Sequence, residues 1–512
     1  MATASIVLDS AYTIATVPRR LFGSFVEHMG RCLYTGIFEP GHATADQRGL
    51  RGDVLELTRE IGPTVVRYPG GNFVSNYRWE DGVGPVADRP TRLNLAWHSI
   101  ETNQFGLHEF ADWAKAADTE IMMTVNLGTR GLREACDLVE YANHQGGTYW
   151  SDQRIGNGAP EPFGIKLWCL GNEMDGPWQI GHKTAAEYGR LANETGKAMR
   201  LVDSDIELVA CGSSNSGMAT FGSWEQTVLE HCYDTVDYVS LHAYYEEIEG
   251  DAASFLASAV NMDHFIESVV ATADAVGAKL KSRKKINLSF DEWNVWYQRR
   301  FSGGGPKSTH AAWDPEPRLI EDEYTVTDAV VVGTLLNSLL RHADRVKVAC
   351  QAQLINVIGL LRSEPGGEAW KQTIAYPFEQ MRRLAQGEIL QVVARSDRYD
   401  SPAYTDVPIV DVSATYDAEA GRAALFLVNR SLDEAADLTA DLSRIGASAV
   451  INANTLHARG QQDRHATNLN DHAAVIPHAF RTYALAEGIL QAALPPLSWT
   501  VLELDVARGA AR

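Results

Sequence analysis

The feature that most limits the possible folds of this chain is a set of eight short apolar runs. Each run ends in polar or glycine-rich residues and is followed by a helical pattern. They begin at residues 21, 64, 120, 165, 206, 236, 286 and 345 and read LFGSFVEH, TVVRYPGG, EIMMTVNLG, IKLWCLGNE, IELVACGSS, VDYVSLHAYY, INLSFDEW and RVKVACQAQ. Between them, residues 184–202 open with a capping-box pattern at Thr184 and Glu187 and continue with helical apolar spacing. Eight strands that alternate with helices predict an α/β fold, a (β/α)8 TIM barrel. A doubly wound open sheet shares the alternation, but eight units in roughly 360 residues fit the barrel better.

The pattern changes after a predicted helix at residues 377–386. Short strand-like runs without helical segments follow at residues 390–396, 408–417, 423–430, 447–456 and 498–506. They predict a C-terminal all-β sandwich of jelly-roll-like type. Residues 4–17 also alternate and read as one strand, which needs a sheet to pair with and is expected to join the sandwich. The predicted domains are a barrel at residues 18–385 and a sandwich formed by residues 1–17 and 386–512.

Charge and apolar content exclude several classes of partner. The 512 residues carry 66 acidic and 45 basic side chains, a formal charge of −21, which argues against nucleic acid and anionic membranes and favours a neutral or cationic ligand. The N-terminus lacks a secretory pattern, and the longest apolar stretch, residues 329–340, is shorter than the roughly 20 residues that span a bilayer. Six scattered cysteines without CxxC spacing predict core residues of a reduced, cytoplasmic protein, with one disulfide left open.

Two of the apolar runs stop at a glutamate. Residues 167–179, LWCLGNEMDGPWQ, centre on Glu173, and residues 288–296, LSFDEWNVW, centre on Glu292. Because the active site of a barrel lies at the carboxyl ends of its strands, both glutamates are expected at one mouth. Two facing carboxyl groups suit glycoside hydrolysis, in which one protonates the leaving oxygen and the other attacks the anomeric carbon or activates water. The alternative, in which each glutamate pairs with an Arg or Lys at the barrel rim, is the weaker interpretation for two glutamates in Asn- and Trp-rich strand ends.

Polar and aromatic residues accumulate at the other predicted strand ends. The polar ones are Glu27, His28, residues 67–72, Asn126, Asn172, Ser213, Ser214, His242, Tyr244, Asp291, Gln351 and Gln353. The aromatic ones are Trp97, Trp178, Trp293, Trp296, Tyr244 and Tyr245. Each aromatic residue taken singly is best explained by core packing. Together with two carboxylates they favour a carbohydrate cleft, since flat rings are good partners for the C–H faces of sugars.

Longer strings around these residues resemble the glycoside hydrolase family 51 α-L-arabinofuranosidases, essentially from end to end. The matching strings are FGSFVEHMGRCLYTGIFEPGH (22–42), VRYPGGNFVSNYRWEDGVGP (66–85), NLAWHSIETNQFG (94–106), VNLGTRG (125–131), WCLGNEMDGPWQIGHKTAAEYG (168–189), SLHAYY (240–245), SFDEWNVWY (289–297) and AQLINV (352–357). The Asn-Glu pair alone indicates only the larger clan of retaining barrel enzymes. GNEMDGPWQ and SFDEWNVWY are specific to the family.

The resemblance implies a role for each matching position. Glu173 would be the general acid/base and Glu292 the nucleophile, about 5 Å apart, of a retaining reaction through a covalent arabinosyl-enzyme. Asn172 would hydrogen-bond the 2-hydroxyl, and Tyr244 would orient the nucleophile. The other furanose hydroxyls would be held by Glu27, Asn72 and Gln353, with Gln351 open as an alternative to Gln353. The pocket and the leaving-group side would be shaped by Trp97, Trp178 and Trp296.

The activity that the resemblance implies is exo-acting release of terminal non-reducing arabinose from arabinan, arabinoxylan and their oligosaccharides, with no cofactor and no metal. It also implies a homo-oligomer, with a hexamer among the expected assemblies. Two other functions stay open. One is an endo-glucanase or xylosidase on the same scaffold, which needs an open groove, and the other is a carbohydrate-binding protein with an inactive barrel.

Three weaker signals are set aside or kept as hypotheses. GGGPKST at residues 303–309 hints at a phosphate loop, but Pro306 stands where the glycine before the lysine is required. It lies in an irregular insertion at residues 299–320, which carries Trp313 and is expected to overhang the cleft as a specificity loop. Four histidines of the β domain lack strong ligand spacing and are expected to be solvated loop residues; they are His457, His465, His472 and His478.

Overall fold

Eight parallel strands close into a barrel in the computed structural model, which describes residues 1–302, 313–457 and 463–506. In chain order, barrel strands 1 to 8 are Arg20–Phe25, Val65–Tyr68, Glu120–Val125, Leu167–Leu170, Glu207–Ala210, Tyr238–Tyr245, Asn287–Val295 and Val346–Ala352. Strand 8 pairs with strand 1, with Cys350 opposite Gly23. The predicted (β/α)8 barrel is therefore confirmed, and an open sheet is excluded.

Helices and short hairpins surround the barrel. The α-helices are Gly52–Ile61, Leu107–Ala117, Leu132–Asn143, Tyr149–Gly156, Ala185–Val202, Ser223–Cys232, Ala252–Leu256, Ser258–Leu280, Gln298–Ser302, Val326–Arg341 and Ala375–Leu384. Short 3-10 helices lie at Asn72–Asn76, Trp79–Gly82, Val86–Asp88 and Asp463–His465. Two-stranded hairpins pair Arg92–Asn94 with Ser99–Glu101, Leu361–Ser363 with Ala369–Lys371, and Arg398–Tyr399 with Val407–Pro408. Among the helices of the described ranges, none combines the length and apolarity needed to cross a bilayer.

The predicted capping box begins helix Ala185–Val202. The Thr184 hydroxyl accepts a hydrogen bond from the Glu187 N–H at 3.4 Å, and the Glu187 carboxylate accepts one from the Thr184 N–H at 3.0 Å. Two backbone donors at the helix start are thereby satisfied. The predicted helix at residues 377–386 is also present, two residues earlier, at Ala375–Leu384.

The remaining strands form the predicted β-sandwich of two sheets. The five-stranded sheet has the order Val393–Ser396, Ala2–Asp9, Ala436–Arg444, Ile489–Leu494, Tyr483–Ala486. The seven-stranded sheet has the order Thr13–Thr16, Glu388–Leu390, Val410–Asp417, Arg422–Asn429, Ser498–Asp505, Ala449–His457, His478–Ala479. Strand Arg422–Asn429 is buried on both faces, because Leu425 and Leu427 pack between the sheets while Phe426 packs toward the barrel.

Residues 4–17, predicted as one strand, form two strands in different sheets. Ala2–Asp9 pairs within the five-stranded sheet and Thr13–Thr16 within the seven-stranded sheet. Between them the Asp9 carboxylate accepts from the Ala11 N–H at 2.9 Å, and the Asp9 carbonyl accepts from the Tyr12 N–H at 3.1 Å. The alternation of side chains along the sequence continues through this turn, so the sequence pattern did not reveal it. The division into domains at residues 17/18 and 385/386 stays a prediction.

Helix Val326–Arg341 connects the barrel to the sandwich and is buried along almost its whole length. This position explains the apolar stretch at residues 329–340 and its polar interruptions. Asn337 donates to Asp411 at 3.1 Å and accepts from the Ser413 hydroxyl at 2.6 Å, and both partners lie in the seven-stranded sheet. Gly333 lies against the ring of Trp499 in the same sheet.

Gly333→Ala is expected to destabilise the protein through this contact. An added Cβ would lie 2.4 Å from Cε3 of Trp499, whose fully buried ring has no room to move. Overpacking of this kind lowers the free energy of unfolding by about 1–3 kcal/mol. The control is Gly156→Ala, where the Cβ would meet no atom within 4 Å and a better helix former replaces glycine. A lower thermal midpoint for Gly333→Ala alone is the expected result, and equal midpoints would contradict the packing.

Candidate active site

The carboxyl ends of the barrel strands enclose a cavity of about 620 Å³. Nine of the ten predicted site residues line it: Glu27, Asn72, Trp97, Glu173, Trp178, Tyr244, Glu292, Trp296 and Gln353. Asn172, the tenth, lies directly behind this surface and is 1% exposed. The barrel thus brings the predicted site residues, from segments more than 300 residues apart in the chain, together at one mouth.

Glu173 and Glu292 face each other across the cavity. One oxygen of each carboxyl group and Nδ1 or Nε2 of His242 lie within 4.8 Å of one another. Glu173 follows strand 4 with a φ of 45°, a left-handed conformation that is uncommon for residues other than glycine. Such a conformation persists only where the surrounding structure imposes it, and it is frequent at functional sites.

Both oxygens of Glu292 accept hydrogen bonds. Arg67 Nη1 donates to Oε1 at 2.6 Å, and the Tyr244 hydroxyl donates to Oε2 at 2.8 Å. Arg67 also donates through Nη2 to Oδ1 of Asn172 at 2.7 Å, so one guanidinium group positions both side chains. Charge-assisted bonds of this kind hold a carboxylate in a fixed orientation. Glu292, held in this way, lines the cavity.

Glu173 sits in surroundings that favour its protonated form. Its Oε1 lies 2.9 Å from Nδ1 of His242, and its Oε2 accepts from Nε1 of Trp178 at 2.6 Å. Burial raises the pKa of the Glu173 carboxyl, the hydrogen bond with His242 lowers it, and the negative charge of Glu292 raises it again, with a net rise. A raised pKa suits a proton donor that works near neutral pH.

His242 and Asp291 were not among the predicted site residues. His242 Nε2 lies 2.9 Å from Oδ1 of Asp291, which makes a chain Asp291–His242–Glu173. Burial lowers the pKa of His242, but Glu292, Asp291 and Glu173 together raise it to about 10, so the ring is a cation that donates from both nitrogens. Both residues and Arg67 belong to the strand-end positions noted in the sequence. Many other polar residues share this position at strand ends, so position alone did not identify these three as site residues.

Glu27 carries a second shifted carboxyl group. Its Oε1 accepts from the Phe73 N–H and from Nε1 of Trp97, each at 2.8 Å, and Nε2 of Gln353 lies 3.5 Å from its Oε2. Burial raises the pKa of Glu27 to about 7, although these hydrogen bonds and the charge of Arg67 act in the opposite direction. At neutral pH the group can therefore either accept or donate a hydrogen bond.

The two glutamines of strand 8 and its end have different surroundings. Gln353 lines the cavity beside Glu27. Gln351 is fully buried and donates from Nε2 to Oδ1 of Asn294 at 2.9 Å, away from the cavity surface. Of the two, Gln353 is the one placed to contact a ligand.

The three tryptophans of the prediction form different parts of the wall. Trp97 is nearly buried and holds Glu27, whereas Trp178 is 42% exposed at the rim beside Glu173. Trp296 packs edge-on against Tyr244, with ring centroids 5.0 Å apart and planes at 85°. The cavity thus has apolar walls around a few polar groups, as sugar sites do.

A metal ion does not suit the cluster of Glu173, His242 and Glu292. The ligand atoms are close enough together, and within the described ranges no second group of acidic, His and Cys side chains is as close. However, both nitrogens of His242 are already hydrogen-bonded to carboxyl groups, Nδ1 to Glu173 and Nε2 to Asp291, so neither nitrogen is directed at an ion.

The structure also describes parts of the 299–320 insertion, the histidines of the β domain and the cysteines. GGGPKST and the rest of residues 303–312 of the insertion lie outside the described residues. Trp313 stacks on His98, with ring centroids 3.9 Å apart, and Ile320 lines the cavity. Nε2 of His457 and Nε2 of His478 are 3.1 Å apart, whereas His472 stacks on Trp370. All six cysteines are free thiols and five are buried, which agrees with the predicted core role and excludes the disulfide left open.

Comparison with known proteins identifies the family. Residues 57–255 match the model of the alpha-L-arabinofuranosidase 1 domain, and residues 291–498 match that of the alpha-L-arabinofuranosidase C-terminal domain. The structure of a family 51 alpha-L-arabinofuranosidase from Bifidobacterium longum superposes with a TM-score of 0.94 at 46% identity, covering 98% of this chain and 100% of that one. The chain belongs to the family 51 α-L-arabinofuranosidases.

Two named relatives are similar over almost the whole length of this chain. A Streptomyces lividans protein named intracellular exo-alpha-(1->5)-L-arabinofuranosidase is 56% identical over 99% of this chain and 76% of its own length. A Bifidobacterium longum protein named exo-alpha-(1->6)-L-arabinofuranosidase is 51% identical over 98% of this chain and 97% of its own length. The family resemblance predicted from the motifs is confirmed, and this α-L-arabinofuranosidase is a glycoside hydrolase.

The pKa of Glu27 predicts a pH-dependent stability. A carboxyl group with a folded-state pKa of about 7 and an ordinary unfolded-state pKa stabilises the fold fully below pH ~4.5, and this contribution is lost as the pH rises to about 7. The side chain of the Glu27→Gln variant cannot ionise, so the variant does not lose stability in this way as the pH rises. The thermal midpoint of Glu27→Gln, relative to the wild type, is therefore expected to rise between pH 4.5 and pH 8. A constant difference across this range would contradict the shifted pKa.

Proposed function

We propose that this family 51 enzyme is a retaining, exo-acting α-L-arabinofuranosidase that removes terminal non-reducing α-L-arabinofuranosyl residues from arabinan, arabinoxylan and their oligosaccharides. The observation that carries the proposal is the separation of at most 4.8 Å between an oxygen of Glu173 and an oxygen of Glu292. Retaining glycosidases place their carboxyl groups about 5–5.5 Å apart, whereas inverting enzymes leave about 6.5–9.5 Å for a water molecule. The spacing supports double displacement.

In the first step Glu292 is the nucleophile and Glu173 the acid. A Glu292 oxygen forms a bond to the anomeric carbon while the bond from that carbon to the leaving oxygen breaks. The leaving oxygen keeps the electron pair and takes the proton of Glu173. Arg67 and Tyr244 hold the attacking carboxylate, which supports the role of Tyr244 in orienting the nucleophile. The product is a covalent arabinosyl-enzyme.

In the second step the same Glu173 acts as a base because its surroundings have changed. In the free enzyme the charge of Glu292 raises the pKa of Glu173. Ester formation removes that charge, while the hydrogen bond with His242 still lowers the pKa of Glu173. The carboxyl group can then ionise and take a proton from the attacking water. The water oxygen forms a bond to the anomeric carbon from the face that the leaving group vacated. The bond from that carbon to the Glu292 oxygen breaks, which restores the original configuration and the Glu292 carboxylate.

Polar groups that follow barrel strands 1, 2 and 8 supply the contacts to the furanose. We assign the hydroxyl contacts to Glu27, Asn72 and Gln353, which line the cavity together. Oε1 of Gln353 accepts no hydrogen bond from any of the described residues, and a sugar hydroxyl is a suitable donor for it. Asn172 donates to Asn72 over a long 3.4 Å contact, from which its amide can turn to the 2-hydroxyl. Trp97, Trp178 and Trp296 shape the pocket and the leaving-group side.

The alternatives have less support. An endo-glucanase or xylosidase requires a long open groove, whereas this cavity is lined on one side by the buried side chains of Glu27, Trp97 and Gln353. A binding protein with an inactive barrel has no need for the two hydrogen-bonded carboxyl groups or for the His242 chain. We also propose that the enzyme acts in the cytoplasm on imported oligosaccharides, as the intracellular names of its relatives suggest, and that it forms a homo-oligomer such as a hexamer.

Hydrolysis of an aryl α-L-arabinofuranoside, followed by proton NMR of the first-formed sugar, tests the mechanism. Retention predicts that α-L-arabinofuranose appears before mutarotation. Glu292→Ala, which lacks the nucleophile, is expected to lose activity by several orders of magnitude. The matched control, Glu194→Ala on the exposed face of helix Ala185–Val202, is expected to retain wild-type rates. First formation of the β anomer would refute double displacement.

Replacement of His242 should shift the pH profile. Because the hydrogen bond and charge of His242 lower the pKa of Glu173, His242→Gln raises that pKa. The alkaline limb of kcat/KM, where the acid loses its proton, is then expected to move up by roughly one pH unit. His342→Gln, a control whose histidine pairs with Asp263 at 3.2 Å and does not line the cavity, should leave the limb in place. A fall in rate without a shift would assign His242 only a structural role.

A further inference from the structure

One residue of a hairpin that connects two strands of the β-sandwich reaches the catalytic cavity. Of the described residues that line it, Tyr404 alone comes from beyond residue 358. It lies in the loop between strands Arg398–Tyr399 and Val407–Pro408, which pair as a hairpin. This connection between the sandwich sheets therefore contributes a side chain to a site that is otherwise built by the barrel.

The hairpin is fixed against the barrel just after strand 6. The Tyr399 hydroxyl donates to the Ala253 carbonyl at 3.1 Å, and the Ala403 N–H donates to the Ser254 hydroxyl at 3.1 Å. Within the loop, the Ser401 N–H donates to the Tyr404 carbonyl at 2.8 Å, and the Tyr404 N–H donates to the Ser401 hydroxyl at 3.1 Å. Four hydrogen bonds thus set the position of Tyr404.

Tyr404 belongs to the wall on the side of the proposed acid. The adjacent barrel strands 4, 5 and 6 carry Glu173, the loop with Ser214 and Ser216, and Tyr245. The groups assigned to the furanose, Glu27, Asn72 and Gln353, follow strands 1, 2 and 8 on the other side. The leaving oxygen takes its proton from Glu173, so the departing sugar lies toward strands 4 to 6.

The polar groups of this wall are mostly occupied. Tyr245 donates to Oδ1 of Asn261 at 3.2 Å, and the Asn261 amide donates to the Ser216 hydroxyl at 3.2 Å. The Tyr404 hydroxyl differs, because it has no hydrogen-bond partner in residues 1–302, 313–457 and 463–506. Burial raises the pKa of the Tyr404 phenol, which therefore stays protonated and can donate.

We propose that Tyr404 binds the leaving-group sugar by hydrogen-bonding one of its hydroxyls, and so makes the enzyme select glycosyl over non-sugar leaving groups. The inference rests on the proposed function and adds a specificity residue to it. A wall that hydrogen-bonds a substrate hydroxyl discriminates against leaving groups that lack it, since its polar group is then left unpaired. The rigid hairpin limits the entropy lost on binding.

The test compares an α-1,5-linked arabinobiose with 4-nitrophenyl α-L-arabinofuranoside. Tyr404→Phe removes only the hydroxyl. It is expected to lower kcat/KM for the disaccharide on the order of fivefold to tenfold, the effect of one neutral hydrogen bond. For the aryl substrate, which has no sugar hydroxyl in its leaving group, kcat/KM should change less than twofold. Tyr12→Phe, an exposed tyrosine of the sandwich, is the matched control and should change neither substrate.

A second readout does not depend on bond cleavage in the disaccharide. When the arabinosyl-enzyme forms from the aryl substrate, arabinose added as an acceptor competes with water, and Tyr404→Phe should reduce the transfer product by a similar factor. Equal losses on both substrates, or an unchanged disaccharide rate and transfer yield, would overturn the inference. A wild-type enzyme without activity on the aryl arabinofuranoside would instead overturn the proposed function itself, so the two failures are distinguishable.

Discussion

The site depends on a balance of charge inside the mouth of the barrel. A buried charge without a partner costs several kcal/mol, so positive and negative groups there must match. Arg67 and His242 provide two cations, and the carboxylates of Asp291 and Glu292 oppose them at hydrogen-bonding distances of 2.6 to 2.9 Å. A third carboxylate would be unmatched, and Glu173 responds with a raised pKa. The groups around Glu173 therefore favour the protonated form that the proposed acid requires.

The barrel makes this balance possible because it brings parallel strand ends to one place. Arg67 lies in strand 2, Glu173 follows strand 4, His242 lies in strand 6, and Asp291 and Glu292 lie in strand 7. Neighbouring residues of a regular strand point to opposite faces, yet Asp291 and Glu292 both reach the ring of His242. The pairing register between strands 6 and 7 shifts in this region, as it often does near active sites. The sandwich supports the barrel from outside through helix Val326–Arg341.

Much of the fold could be predicted from the sequence because its signals are local. The eight barrel strands are short buried runs, and helix Ala185–Val202 carries its own capping signal at Thr184. Prediction was less complete in the sandwich. Strands Ala436–Arg444, Tyr483–Ala486 and Ile489–Leu494 were missed, since they consist largely of Ala and Leu with polar residues between and have weak strand propensity. The turn after Asp9 was hidden by uninterrupted alternation.

The sequence by itself determined the class of fold and the family and singled out the two glutamates as candidate catalytic residues, since apolar runs and motif strings are properties of contiguous residues. Only the tertiary structure decided how these groups act on one another. It separated Gln353 from Gln351, made Arg67 and His242 parts of the site, and placed Tyr404, from a hairpin between two sandwich strands, in the wall of the cavity. Each of these outcomes depends on distance and burial between segments far apart in the chain. Such quantities exist only once the barrel has closed.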